Sequence, residues 1–82
     1  LLKKRLVACA SLLRGVDSIF IWKSKTTRAK EVLAVFKTKR SLFKKIVSEV
    51  RRLHSYDVPE IIAMPIIEGN KEYLDWIDES VC

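Results

Sequence analysis

Hydrophobic and polar residues change their spacing several times along this chain, and the first half of the pattern predicts mainly strands. Leu1 to Leu6 has one apolar edge and one basic edge, which is typical of the end of a helix. Val7 to Leu13 then takes on the character of a strand, and Arg14-Gly15 breaks the run. Val16 to Trp22 is β-branched and aromatic, so it predicts a second strand.

The pattern changes from strand to helix in the middle of the chain. The polar run from Lys23 to Lys30 predicts a hairpin tip, and the nearly continuous apolar run from Glu31 to Thr38 predicts a third strand buried on both faces. Ser41 to His54 has helical spacing, and Thr38 and Ser41 are both candidates for its cap. The apolar face of this helix consists of Leu42, Phe43, Ile46, Val47, Val50 and Leu53.

The last third of the chain predicts one more strand and one more helix. Glu60 to Ile67 is a fourth strand, which Pro65 restricts to a bulge or a sheet edge. Asn70 caps a final helix from Lys71 to about Val81. The order of elements predicts one α+β domain over residues 1–82, a ferredoxin-like split βαβ sandwich with an extra C-terminal helix. The opening strand, which lies at the centre of such a sheet, is missing from the predicted elements. We therefore expect an N-terminally incomplete domain whose parent protein has residues before Leu1, or else a substitute strand that fills the gap.

Composition narrows the class of protein. The chain has 82 residues, 49% of them hydrophobic, so one core forms and oligomerisation would enlarge it. The longest apolar run, Ile61 to Ile67, is far shorter than the roughly 18–20 residues of a membrane span. The net charge of +6 divides into +12 over residues 1–56 and −6 over residues 57–82. This charge asymmetry has two interpretations. The basic part could form a surface that binds nucleic acid or a membrane, or the basic and acidic parts could attract each other within one chain or between neighbouring chains.

The two cysteines do not form a disulfide framework, which fits a reducing compartment such as the cytoplasm. Cys9 lies in a run of small apolar residues and is expected to be a buried thiol that acts as a small hydrophobe. Catalytic arrangements do not emerge either, since the sequence holds one histidine and no glycine-rich phosphate loop. The sequence therefore does not predict an enzyme.

Several segments together resemble the CutA family of divalent-cation tolerance proteins, and the similarity runs nearly from end to end. These segments are KRLVACA at 4–10, GVDSIFIWK at 15–23, EVL at 31–33 with KT at 37–38, LHSYDVPEIIAMPI at 53–66 and EGNKEYLDWIDES at 68–80. The resemblance implies a non-enzymatic cytoplasmic homotrimer whose long hairpin strands pair between subunits. It implies a role in tolerance of divalent cations, notably copper, without nucleic-acid or membrane partners. The alternative is a regulator like the PII signalling proteins, which binds a small anionic ligand or a partner protein.

The resemblance also indicates where a site would lie. We expect an inter-subunit cleft lined by Trp22, Lys37, His54, Tyr56 and Glu60. Cu²⁺ or another divalent cation is the implied ligand and is not required for folding.

The candidate metal ligands are His54, Cys9 and Glu60, which suit a borderline or soft metal. His54 can instead cap the helix that it ends, and Glu60 can instead pair with Lys37 or an arginine. Of the ligands that some family members use for copper, only His54 is present, because Leu53 precedes it and the first strand is absent.

Other positions depart from the family pattern or have a packing role. Ser55 replaces a usual proline, Ile21 replaces a paired aromatic residue, and the expected hairpin tip at residues 26–29 lacks the family's acidic residues. Tyr73 and Trp76 are expected to pack the last helix rather than to stack on a ligand.

Overall fold

A long antiparallel hairpin dominates the computed structural model, which describes residues 1–53 and 59–82. Strand β1 is Cys9–Trp22 and strand β2 is Lys25–Lys37. They pair from Cys9 opposite Lys37 to Trp22 opposite Lys25. With about 3.3 Å of rise per residue, β1 is about 43 Å long, close to the 45 Å longest dimension of the described chain.

The break that the sequence suggests at Arg14-Gly15 is an irregularity inside one strand, so the prediction of two separate strands is wrong. Pairing shifts register between Leu13 and Val16, and Gly15 has a φ of 72°. This left-handed conformation is open to glycine without steric cost, which is why a bulge can form here while the ladder continues on both sides.

The hairpin turn is much shorter than the polar run indicates. Only Lys23 and Ser24 lie outside the ladder, with φ values of 50° and 65°. Positive φ at both central residues is the geometry of a type I′ turn, whose twist matches that of the flanking strands. The prediction of a tip over Lys23–Lys30 is wrong because backbone pairing does not require apolar side chains, and Lys25–Lys30 belong to β2.

The N-terminal turn has the hydrogen bonds of a helix end, although no helix is assigned there. The Arg5 N–H donates to the Leu2 carbonyl (3.0 Å) and the Leu6 N–H to the Leu1 carbonyl (3.1 Å), while Arg5 has a φ of 55°. This pair of bonds around a left-handed residue is the Schellman motif. The predicted helix end is not assigned as helix, because residues 2–5 are turn, although the two hydrogen bonds are those that close a helix.

A small core lies where the N-terminal turn, the first helix and the C-terminus meet. Three backbone carbonyls of the turn accept hydrogen bonds from groups that are distant in sequence. The Cys82 thiol donates to the Lys4 carbonyl (3.2 Å) and the Cys82 N–H donates to the Arg5 carbonyl (3.0 Å). The Thr38 hydroxyl donates to the Leu6 carbonyl (2.5 Å). These bonds satisfy carbonyls that a helix end leaves without partners. The buried members of the core are Leu6, Val7, Leu42, Ile46 and Val81.

Two helices follow the hairpin. A 3₁₀ turn at Arg40–Leu42 leads into α1, Phe43–Leu53, and α2 is Lys71–Ser80. Neither side chain proposed as a cap of the first helix caps it, since Lys39 occupies the N-cap position and Thr38 donates to Leu6 instead. Asn70 occupies the N-cap position of α2 as predicted, without a side-chain bond. Within the described residues, no helix combines the length and apolar character that crossing a membrane needs.

The fourth predicted strand, Glu60–Ile67, is absent, since residues 59–67 have neither helix nor strand assigned. In the predicted topology this segment pairs with the opening strand, and no described residues supply that strand. Without a partner the segment cannot form ladder hydrogen bonds. The α+β class is nevertheless confirmed by the two-stranded antiparallel sheet and the helices beside it.

Candidate functional site

Both faces of the hairpin expose large apolar side chains. Successive residues of a strand point to opposite faces, so two neighbouring exposed residues place one apolar side chain on each face. Three such pairs of neighbours lie in the middle and at the base of the hairpin. These pairs are Leu12 and Leu13 (57% and 59% exposed), Val32 and Leu33 (55% and 51%), and Val35 and Phe36 (45% and 36%). The sequence predicts that β2 is buried on both faces, and no described part of this chain supplies that burial. An apolar surface of this extent marks an interaction site.

The base of the hairpin brings two of the predicted site residues together. Cys9 and Lys37 are cross-strand partners, and both are half-buried. The expected full burial of Cys9 is therefore wrong; it begins β1, at the edge of the core rather than inside it. The Lys37 carbonyl accepts a hydrogen bond from the Ala8 N–H (2.7 Å), which fixes the backbone beside this pair.

Trp22 lies at the other end of the hairpin from Lys37. It is the last residue of β1, pairs with Lys25 and is 52% exposed. Because the strand is about 43 Å long, these two residues cannot line the same cleft within one chain. A site containing both requires a neighbouring subunit that places the tip of its hairpin beside the base of this one.

Glu60 is exposed just after Pro59 and makes no ion pair with the described residues, so neither the Lys37 pair nor an arginine pair is formed in this part of the chain. The predictions for His54 and Tyr56 fall outside the described residues. Within residues 1–53 and 59–82, the structure contains no cluster of three or more histidine, cysteine, aspartate or glutamate side chains that could hold a metal ion.

Tyr73 and Trp76 lie on the same side of α2 and contact each other. Their ring centroids are 5.6 Å apart with planes inclined at 32°, an ordinary geometry for a packed aromatic pair. Both remain partly exposed, at 38% and 44%. They pack against each other, and the expectation that they pack the last helix rather than stack on a ligand stays a prediction.

An ionic cluster that was not predicted from the sequence joins the N-terminal turn to α1. A Glu49 carboxylate oxygen lies 2.9 Å from the Lys4 Nζ, and the other oxygen lies 3.1 Å from an Arg52 guanidinium nitrogen. Hydrogen bonds from Arg52 and then from Lys4 lower the pKa of Glu49 from 4.5 to about 2. The spacing of Glu49 and Arg52 is a helical signal that the sequence contains, whereas Lys4 could be placed only by the fold.

This cluster predicts an acid-sensitive contribution to stability. The pKa of Glu49 is lower in the folded chain, so its contribution is present above about pH 5 and is lost as the pH falls towards 2. Between pH 5 and pH 2.5, the melting temperature of the native protein is expected to fall more than that of Glu49→Gln. Thermal unfolding followed by circular dichroism measures both.

Glu72→Gln is the matched control for that experiment, because Glu72 is an exposed helical glutamate with no ion pair among the described residues. It should keep the native pH dependence. If Glu49→Gln and Glu72→Gln have the same pH dependence as the native chain, the ionic cluster does not hold the N-terminal turn.

Comparison with known proteins assigns this geometry to a family. Residues 1–80 match the profile of the family described as CutA1 divalent ion tolerance protein. The chain is 44% identical over 80 residues to the divalent-cation tolerance protein CutA of Thermus thermophilus, covering 98% of this chain and 78% of that protein. It is 38% identical over 80 residues to the chloroplastic CutA 1 protein of rice. That match covers 98% of this chain and 45% of the length of the rice protein.

Solved structures give the same answer for the fold. The Thermus thermophilus divalent cation tolerance protein superposes with a TM-score of 0.96 at 42% identity, covering 99% of this chain and 79% of that one. Rice CutA1 superposes with a TM-score of 0.95 at 37% identity, with coverages of 99% and 74%. The hairpin, the helices and residues 59–67 are thus arranged much as the matching residues are in these solved proteins. This chain therefore belongs to the CutA1 divalent ion tolerance protein family.

Proposed function

We propose that this chain forms, as a single domain, a non-enzymatic homotrimer that contributes to tolerance of divalent metal ions, copper in particular, by binding a cation between subunits. The observation that carries the proposal is the hairpin, whose two faces both expose large apolar side chains. Family membership supplies the connection to divalent ions.

Assembly through the hairpin accounts for the exposed apolar residues. Burial of apolar area stabilises by about 25 cal/mol per Å², and a chain of this size has a small core of its own. A single partner on one face would leave the opposite face in water. Each hairpin therefore needs neighbours on both sides, which a closed ring of three subunits provides.

The same assembly would complete the proposed cleft. Lys37 and Cys9 lie at the base of one hairpin and Trp22 lies at its tip, so subunits packed alongside each other can bring a tip to a base. We place His54, Tyr56 and Glu60 at this junction, with His54, Cys9 and Glu60 as the cation ligands. Imidazole, thiolate and carboxylate from different subunits suit a borderline metal such as Cu²⁺.

The positive charge of Lys37 weakens any binding of a metal ion by Cys9. Lys37 is the cross-strand partner of Cys9, so its ammonium group repels a metal cation bound to the Cys9 thiolate. His54 is therefore the proposed principal ligand, and Cys9 and Glu60 add to it.

Titration with Cu²⁺ tests the metal site. The Cys82→Ser variant, which lacks the exposed thiol at the chain end, serves as the background and should bind Cu²⁺. His54→Ala should weaken that binding about tenfold or more, since the loss even of residues that only orient metal ligands costs about 10–100-fold. Isothermal titration calorimetry at pH 7 gives both affinities.

Glu72→Ala is a useful control, because it removes an exposed carboxylate on α2 that lies outside the proposed site. Its affinity for Cu²⁺ should equal that of the background. An affinity unchanged by His54→Ala would exclude His54 as a ligand, and absence of Cu²⁺ binding to the assembled protein would contradict the metal role itself.

A further inference from the structure

The tip of the hairpin carries positive charge without counter-charge. Residues 18–30 contain Lys23, Lys25, Arg28 and Lys30 and no acidic residue. The Lys30 Nζ lies 3.7 Å from a carboxylate oxygen of Asp17. The other three cations form no ion pair with a carboxylate of the described residues. Positive charges this close together repel each other, so the tip favours a negatively charged partner.

The cations of the tip are divided between the two faces of the hairpin. Lys25 lies directly opposite Trp22 in the ladder, so these two side chains share one face. Arg28 comes three residues after Lys25 on β2, which places it on the other face. Trp22 belongs to the cleft proposed between subunits, so Lys25 is the cation of β2 that accompanies it there. Lys23 lies in the turn beside both of them.

The end of α2 carries the opposite charge, also without compensation. Its last turn contains the exposed Asp78 and Glu79 and no basic residue. Neither carboxylate forms an ion pair with the part of the chain that the structure describes. The carbonyl end of a helix is itself negative and favours cations. This end of α2 therefore favours a positively charged partner.

The end of α2 lies beside the base of the hairpin of its own chain. The Cys82 N–H donates to the Arg5 carbonyl (3.0 Å), and Val81 shares a core with Leu6 and Val7, which directly precede β1. Lys25 begins β2, about 40 Å of strand away from its base. A tip cation and the end of α2 therefore cannot meet within one chain, although they can meet between chains that pack tip to base.

We propose that Lys23 and Lys25 at the tip of one hairpin bind Asp78 and Glu79 at the end of α2 in the neighbouring subunit. This inference rests on the proposed homotrimer and names a charged contact that would orient its subunits. Apolar faces attract each other without a preferred register, whereas complementary charges fix the register. A closed ring of three subunits would repeat the contact three times.

Reversal of each charge, alone and together, tests the contact in the full chain. Lys25→Glu and Glu79→Lys should each lower the melting temperature at low salt by about 3 °C or more, because each replaces attraction by repulsion. The double variant should regain most of the loss, since the pair is restored with its signs exchanged. Thermal unfolding at a fixed protein concentration measures all four proteins, and 1 M NaCl should reduce the differences.

Two further reversals are the matched controls. Arg28→Glu changes a cation on the other face of the tip, and Glu72→Lys changes an exposed carboxylate at the start of α2. Neither Arg28→Glu combined with Glu79→Lys nor Lys25→Glu combined with Glu72→Lys should regain stability. Recovery confined to Lys25 and Glu79 would support the contact between chains, because one chain holds these residues too far apart to interact.

A native protein with the mass of three chains but additive effects of Lys25→Glu and Glu79→Lys would overturn this inference and leave the trimer standing. Equal recovery in the control combinations would also overturn it, since that result indicates general attraction between a basic and an acidic surface. A native protein with the mass of one chain would overturn the trimer and this contact together.

Discussion

Leu33→Asp is expected to dissociate the proposed trimer and to lower stability sharply. Leu33 lies in β2 opposite Leu13, and these side chains are 51% and 59% exposed in the single chain. If neighbouring subunits bury Leu33, its replacement loses about 1.5–3 kcal/mol of burial per chain, and the desolvation of a buried carboxylate adds to that loss. Light scattering after size exclusion should give three times 9.5 kDa for the native protein and a smaller mass for the variant.

Leu2→Asp is the matched control for the hairpin variant. Leu2 has the same residue type and a similar exposure (55%) but lies in the N-terminal turn, outside the hairpin, so its replacement should preserve the mass and lower the melting temperature much less. If the native protein has the mass of one chain, or if Leu33→Asp keeps the native mass and melting temperature, subunits do not associate through the hairpin. The metal cleft proposed between subunits would then lose its structural basis.

The sequence predicted the elements whose side chains carry a periodic signal. The helix after β2 follows from apolar residues at helical spacing, and its buried members Leu42 and Ile46 are among those predicted. The hairpin strands were predicted as shorter pieces, because polar residues at Lys25–Lys30 obscure a ladder that is formed by backbone groups. The fourth strand was predicted from composition alone, which does not reveal whether a pairing partner exists.

The candidate site was less accessible from the sequence than the fold. Resemblance to a family suggested Trp22 and Lys37 for the same cleft, and only the length of the hairpin shows that one chain cannot hold both. The link between Lys4 and Glu49 joins residues 45 positions apart in sequence, and no local pattern predicts it. Contacts of this kind depend on how the chain turns back on itself, which a pattern of spacing does not describe.

Ile46→Ala is expected to cause the largest loss of stability among changes within one subunit. Ile46 is 5% exposed and belongs to the small core with Leu6, Val7, Leu42 and Val81. Replacing a buried isoleucine by alanine typically costs about 2–5 kcal/mol. That is a large part of the roughly 5–15 kcal/mol by which such domains are stable. Urea unfolding at a fixed protein concentration, which keeps the degree of assembly comparable, measures the loss.

Leu53→Ala supplies the comparison within the same helix. Leu53 ends α1 and is 67% exposed, so its truncation should change the free energy of unfolding by no more than about 0.5 kcal/mol. Equal losses in the two variants would mean that the core of the N-terminal turn, α1 and the C-terminus does not hold the subunit together. Ile46 lies in the helix, whereas the exposed apolar faces lie on the strands. If only Ile46→Ala lowers the free energy of unfolding strongly and the variant keeps the native mass, the stability of the subunit is separate from its assembly.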